Sequence, residues 1–335
     1  MQKIQFGDTE EKVSQMAMGG CQYGTKLNKE ESFEFLDYYF EAGGTFLDTA
    51  NNYSFWEEGG QGGESETIFG EWMKSRKNRK EIFLATKVGA FPVVPKDKFL
   101  ADSKKVDVWT EYTEGLSPEV INSSVEASLE RLQTDYIDLY YAHVDVRRDN
   151  LEKTLETFDG LIKSGKVRHI GCSNYRVWRM MEAKSISRRH GWAEYSANQM
   201  FHTYYQTEKG AETGMGLQMA EELMDYARSR KDITLLGYTP LIYGAYTREE
   251  KYEQVPHIAC FKRAQNIERK QRLEQVSRES GATVNQIIYA WMMQNDPPVI
   301  PLIGATKMEH LKENIESVNV KLSGRQLALL NSPLN

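Results

Sequence analysis

The sequence predicts an α/β protein built as a (β/α)8 TIM barrel, with an N-terminal β-hairpin and long loops on the C-terminal face. Three observations carry that expectation. Short apolar runs alternate with longer amphipathic stretches along the whole chain, the pattern of strands joined by helices in a parallel sheet. The runs number eight, at 14–18, 45–48, 81–86, 137–141, 167–171, 195–199, 233–237 and 299–302. Three connections are long, 89–116, about 200–215 and about 240–264, and each follows a strand. In a barrel all three emerge on one face, where such folds keep their sites. An open doubly wound sheet could use the same strands, so the count alone does not decide.

Taken in order, K-I-Q-F-G-D-T-E-E-K-V-S reads as a hairpin turning at Gly7-Asp8 before the first barrel strand. Helical spacing of apolar residues covers 29–42, 64–76, 150–163, 175–184, 217–230, 283–293 and 308–318. The clearest helix is S-P-E-V-I-N-S-S-V-E-A-S-L-E-R-L, with Ser117 as N-cap and Pro118 in the first turn. No Pro/Ser-rich linker or shift of composition divides residues 1–335, so one domain is expected. The long connections hold Trp109, Tyr112, Phe201, Tyr204, Tyr205, Tyr243 and Tyr246, aromatics that suit a pocket lining better than disorder.

Composition narrows the function. The 335 residues are 40% hydrophobic and 27% charged with net charge −6, which leaves no basic footprint for nucleic acid or an anionic membrane. The N-terminus is too polar for a signal peptide, and no apolar run approaches the roughly 20 residues of a membrane span. Cys21, Cys172 and Cys260 lie far apart, without metal-ligand or C-x-x-C spacing. No metal site is expected, each cysteine reads as a buried free thiol, and a reducing, cytoplasmic setting follows. The oligomeric state is not set by these data.

A barrel brings strand C-termini together, and polar residues stand there: Asp48, Lys87 in L-A-T-K and His143 in L-Y-Y-A-H, with Tyr53 just beyond Asp48. Singly, each has a bland reading as a turn residue, a solvated lysine or a hydrogen-bonded histidine. Together they are the parts of a tuned proton donor. A free phenol has a pKa of about 10, and a nearby ammonium is expected to pull it down. Asp48 would keep Lys87 charged, His143 would orient a carbonyl oxygen, and Tyr53 would protonate it. Such a site lacks a hydride source, so a cofactor is required. The glycines of E-E-G-G-Q-G-G-E-S lack the dinucleotide-fold spacing, which disfavours a Rossmann site. P-loop, H-E-x-x-H and G-x-S-x-G patterns are also absent.

L-D-T-A-N-N-Y, A-T-K, L-Y-Y-A-H, I-G-C-S-N, Asn198-Gln199, G-Y-T-P-L and I-G-A-T-K-M-E-H-L-K-E-N follow one another in a fixed order. In these pieces the chain resembles the aldo-keto reductase family over essentially its whole length. The resemblance implies a barrel that binds NADP(H) without a Rossmann fold and a catalytic tetrad of Asp48, Tyr53, Lys87 and His143. It implies that Ser173, Asn174 and Gln199 hold the nicotinamide carboxamide and that Tyr238 stacks on the ring. Thr239, Pro240 and Leu241 match the segment beneath the pyrophosphate, and Gly20 and Cys21 match the contact with the nicotinamide ribose. Glu313 and Asn314 match the adenine contacts.

The adenine end departs from the strongly NADP-preferring pattern: Gly304-Ala305 stands in place of a Lys-Ser pair, and His310 near an Arg position. The resemblance leaves Thr306 and Lys307 for the 2′-phosphate, with Lys307 the best remaining cation and a neutral His310 a weak ligand. NADP(H) is favoured and NAD(H) stays open. Phe55 and Trp56, directly after the phenol, and Tyr23, beside Gly20-Cys21, are candidate walls for a carbonyl substrate such as a sugar, a ring or a flexible aldehyde.

Two other readings share the scaffold. Lys87 could form a Schiff base as in barrel aldolases, although Asp48 would hold it protonated. The resemblance extends to cofactor-binding subunits of membrane channels, which suggests an interaction module. The complete tetrad favours catalysis over both.

Overall fold

The computed structural model describes residues 1–102, 107–207 and 216–333. Residues 103–106 and 208–215, in the first two long connections, and 334–335 lie outside it. The chain opens with antiparallel β1 (Lys3–Gln5) and β2 (Lys12–Ser14), in register through Ile4 and Val13. Gly7 takes the left-handed backbone, φ +56°, that the expected turn requires. Phe6 leaves this hairpin to meet Phe83 at 5.0 Å and His169 at 5.6 Å between ring centres. Phe83 begins its strand, so the hairpin plugs the N-terminal mouth of the barrel.

Eight parallel strands then close a ring: β3 (Ala17–Gly19), β4 (Phe46–Asp48), β5 (Phe83–Val88), β6 (Ile137–Ala142), β7 (Val167–Ser173), β8 (Tyr195–Phe201), β9 (Thr234–Tyr238) and β10 (Val299–Ile303). The closing pair is β10 with β3, which settles the barrel against the open sheet. All eight expected runs are strands. The first is split, with Ser14 ending the hairpin and Ala17 starting the barrel.

Alternate residues point inward, and Phe46, Phe83, Leu139, Tyr141, Leu236 and Ile300 fill the interior. Tyr141 explains one glycine: a Cβ on Gly171 would stand 2.7 Å from its ring. The barrel is therefore a packed core, with chemistry confined to its rim.

Helices α1 (Lys29–Glu41) and α2 (Glu64–Arg76) follow β3 and β4, and α3 (Lys96–Asp102) and α4 (Val108–Glu111) break up the long connection after β5. Next come α5 (Pro118–Leu132), α6 (Leu151–Lys163), α7 (Val177–His190), α8 (Glu221–Ser229) and α9 (Lys251–Gln254). The series ends with α10 (Ala264–Ser280), α11 (Val284–Gln294), α12 (Met308–Glu316) and α13 (Gly324–Asn331). Ser117 caps α5 as expected, its hydroxyl accepting from Val120 N at 3.4 Å. Helix α10 was not legible in the apolar pattern: its buried face is Asn266, Arg272, Leu273 and Val276. Polar anchors replace apolar ones there, Arg272 donating to Glu268 at 2.6 Å and to the Ser332 carbonyl at 2.5 Å.

The loop aromatics divide. Phe201, Tyr204, Tyr205 and Tyr246 are buried beneath the loops, with Phe201 stacked on Phe261 at 5.4 Å. They hold the connections down, contrary to the expected pocket lining. Trp109 and Tyr112 instead join a small cluster with Phe55, Trp56, Phe99 and Val108 at the mouth, and Tyr243 remains exposed.

Candidate active site

Asp48 is the last residue of β4, Lys87 the penultimate residue of β5, and His143 follows β6 directly. Adjacent parallel strands in register bring these ends together; Asp48 pairs with Ala85, and Lys87 with Tyr141. Tyr53 lies in the turn after β4, just before Ser54 with its left-handed φ of +76°, and its hydroxyl returns to Lys87 Nζ at 2.9 Å. The side chains of Lys87 and Asp48 are completely buried.

The Lys87 ammonium has three protons and three acceptors. It donates to Asp48 Oδ1 at 2.5 Å, to the Thr49 carbonyl at 2.7 Å and to the Tyr53 hydroxyl at 2.9 Å. Asp48 Oδ2 accepts from Gln199 Nε2 at 2.8 Å, so both carboxylate oxygens are engaged. Burial is the largest influence on the Asp48 carboxyl and raises its pKa, against the opposing pull of Lys87 and Gln199. All three donor positions of Lys87 Nζ are engaged, which disfavours the Schiff-base reading of Lys87.

Because Lys87 occupies the oxygen of Tyr53, the phenolic proton must point elsewhere. Cys21 faces that hydroxyl, and burial pushes its own thiol up to about 11, so it stays protonated. The expected lowering of the Tyr53 pKa is not what the structure shows. Burial, then the neighbouring Cys21 and Asp48, raises the phenol well above its ordinary value. Desolvation disfavours phenolate, and Asp48 offsets the charge of Lys87.

His143 is buried, and its ring lies 5.9 Å from that of Tyr53 at 69°. Burial, then the Lys87 charge, holds its pKa well below the usual range, so the imidazole is neutral. Its Nδ1 is buried and has no hydrogen-bond partner among the described residues, and such an atom is costly unless something binds there.

The other expected residues fall in three groups. Ser173, Asn174, Gln199 and Tyr238 converge beside the tetrad: Tyr238 Oη donates to Asn174 Oδ1 at 2.7 Å, and Ser173 Oγ to the Gln199 carbonyl at 2.9 Å. Asn174 adopts φ +60° and Thr239 φ +54°, turning both chains at the ends of β7 and β9. Thr239, Pro240 and Leu241 run on from Tyr238, and Gly20 and Cys21 follow β3 beside Asp48, with Gly20 N donating to the Asp48 carbonyl at 2.8 Å.

The second group gathers at the start of α12. Gly304, Thr306, Lys307 and His310 are exposed, and Lys307 sits at the N-cap with no side-chain cap on the helix. An uncapped N-terminus leaves backbone N–H groups free and favours anions. Asn314 Nδ2 donates to the Gly304 carbonyl at 3.3 Å, and Glu313 accepts from Thr283 at 2.6 Å.

The third group is the wall. Trp56 stands edge-on to Tyr53 at 6.1 Å and Trp109 edge-on to Trp56 at 6.1 Å. Phe55 packs behind them against Phe99 at 6.0 Å. Tyr23 turns inward, edge-on to Phe69 at 5.2 Å in the packed shell, so it does not join this wall.

Residues 15–334 match the family model described as Aldo/keto reductase family. A norsolorinic acid reductase B of Dothistroma septosporum is 30% identical over 93% of this chain and 76% of the relative. A probable aryl-alcohol dehydrogenase of Saccharomyces cerevisiae is 31% identical over 91% of this chain and 88% of its own length. Among solved structures, a thermostable aldo-keto reductase in complex with the inhibitor epalrestat superimposes with TM-score 0.72 at 25% identity, covering 99% of both chains.

Proposed function

The chain belongs to the aldo/keto reductase family and is an oxidoreductase; on that premise we propose that it reduces aldehydes or ketones with NADP(H), Tyr53 being the proton donor. The observation that carries this reading is the Lys87 ammonium, shared between the Asp48 carboxylate and the Tyr53 oxygen. It leaves one phenolic proton, held by a group that stays protonated at neutral pH and that a substrate oxygen would draw from its contact with Cys21.

The residues present fit the nicotinamide cofactor that the family uses. Ser173, Asn174 and Gln199 would take the carboxamide, Tyr238 would stack on the ring, and the uncapped start of α12 with Thr306 and Lys307 would hold the 2′-phosphate. When bound, the reduced nicotinamide supplies the hydride. The neutral His143 ring carries one N–H with which to hold the carbonyl oxygen while charge develops there. Tyr53 then protonates that oxygen, and Lys87 stabilises the phenolate it leaves. The buried Asp48 keeps the ammonium fixed, so no solvent has to reorganise.

For substrate, we favour an aromatic carbonyl. The Trp56 ring beside the phenol, with Trp109 edge-on to it, forms an aromatic wall that suits an aryl ring, and the name of the aryl-alcohol dehydrogenase relative points the same way. Titrating NADPH and NADH by fluorescence, then screening aryl, alkyl and sugar carbonyls with the tighter binder, tests the proposal. It expects tighter NADPH binding and turnover led by aryl aldehydes. Tight nucleotide binding with negligible turnover across the panel would replace catalysis with the interaction-module reading.

A further inference from the structure

The turn that carries Tyr53 is lashed to the exit of the strand that carries Lys87, at a point outside the tetrad. Glu114 ends the long connection after β5, and its Oε1 accepts two N–H groups at once. One is Asn51 Nδ2 at 2.8 Å, two residues before the phenol; the other is Gly89 N at 2.8 Å, two residues after the lysine. Oε2 accepts from Ser124 Oγ of α5 at 3.1 Å, which anchors the carboxylate to a rigid helix. Two further ties run parallel to it: Asn51 N donates to the Lys87 carbonyl at 3.3 Å and Asn52 Nδ2 to the Ala90 carbonyl at 3.0 Å. Gly89 has φ +108°, a conformation closed to other residues, so its N–H is aimed by a backbone that only glycine supplies there.

We propose that Glu114 is a positioning residue, acting through Asn51 to set the distance between the Tyr53 hydroxyl and the Lys87 ammonium. The proposal rests on the reading of Tyr53 as the proton donor. Among the described residues the phenol oxygen is tied to the barrel wall by the 2.9 Å bond from Lys87 and by its contact with Cys21. A proton donor must be held to within about 0.5 Å of its working place by its supporting residues. Asn51 and Asn52 are therefore the two hooks of the N-N-Y turn, and Glu114 is the bar across which one of them is drawn. Burial raises the Glu114 carboxyl, while Asn51, Gly89 and Ser124 oppose that rise. Placing a carboxylate here is costly unless two N–H donors need one acceptor.

The Glu114 side chain also roots the connection bearing Trp109, through Oε1 to Gly89 N at 2.8 Å and Oε2 to Ser124 Oγ at 3.1 Å. Its loss should disturb both phenol and wall, whereas loss of Asn51 should disturb the phenol alone.

The test uses Asn51→Ala, Glu114→Ala and Glu114→Gln in the full chain. Asn51→Ala leaves Glu114 two donors and is the variant expected to fold normally. Its kcat should fall about tenfold to 100-fold, with nucleotide affinity and carbonyl KM held within about twofold. The alkaline limb of alcohol oxidation should move upward, because a phenolate farther from the ammonium is less stable. Glu114→Ala should add a rise in KM for aryl carbonyls. Glu114→Gln should restore most activity, since its amide oxygen accepts both N–H groups and its NH2 can donate to Ser124.

A crystal structure of Asn51→Ala gives a readout without turnover: Tyr53 Oη displaced from Lys87 Nζ by more than about 0.5 Å. Wild-type kcat and pH profile in Asn51→Ala, or an unmoved phenol, overturns the clamp. An inactive wild type with the phenol displaced in Asn51→Ala would instead overturn the proton-donor reading and leave the clamp standing.

Discussion

Replacing Lys87 by Met removes a cation from a completely buried site and should be felt first as lost stability. Its ammonium makes bonds of 2.5, 2.7 and 2.9 Å to Asp48, the Thr49 carbonyl and Tyr53. Without it, the Asp48 carboxylate keeps one partner in the pair's place, Gln199 at 2.8 Å. Breaking a buried ion pair from one side costs about 3–5 kcal/mol, against a net stability of about 5–15 kcal/mol for a typical domain. Activity should fall at least about 100-fold, the scale for losing one preorganised charge-stabilising donor. Adding Asp48→Asn removes the stranded charge and should recover most of the stability while recovering none of the activity. Urea unfolding at neutral pH gives the first quantity, and single-turnover hydride transfer followed by nicotinamide absorbance gives the second. A single variant that loses less than about 1 kcal/mol, or a double variant that regains activity, would refute the reasoning.

Four other outcomes follow from the structure. The raised phenol of Tyr53 is protonated throughout the neutral range, so carbonyl reduction should be flat with pH up to about 10. Alcohol oxidation needs the phenolate and should rise about tenfold per pH unit over that span; a plateau near neutrality would contradict the raised phenol. His143 is held neutral, so neither direction should show an inflection near its ordinary value of about 6.5. Trp56→Ala removes the ring edge-on to the phenol and should cost aryl carbonyls about 1–2 kcal/mol in kcat/KM, with small aliphatic aldehydes little changed. Lys307 is exposed and only loosely paired with Glu309 at 3.8 Å. Lys307→Ala should weaken NADPH about fivefold and leave NADH unchanged, read by fluorescence titration; equal effects on both would remove its assigned role.

What could be read in the chain followed from periodicity and from strand ends. Asp48, Lys87 and His143 were visible because a parallel barrel sends every strand's C-terminus to one rim, where a polar residue closing an apolar run stands out. Helix α10 was missed because Arg272 and Asn266 supply part of its buried face, and hydrogen bonds to distant carbonyls leave no apolar period. The Tyr53 shift runs opposite to the expected direction for a different reason. Sequence neighbours reveal charges such as Lys87, but the extent of desolvation appears only when the turn is folded over the barrel. Glu114 gave no sequence signal, since its partners lie 63 and 25 residues away. Tyr23 stood in the right place along the chain, yet its ring went to Phe69 in the packed shell.

Tyr53→Phe tests the central claim most directly, because it deletes one oxygen and leaves the ring that packs against Trp56 and His143. Nucleotide fluorescence and single-turnover hydride transfer are measured on the same preparation. Loss of the general acid should lower turnover about 10²–10⁴-fold while nucleotide affinity stays within about twofold of the wild type. Hydride transfer at near-wild-type rates in Tyr53→Phe would contradict it.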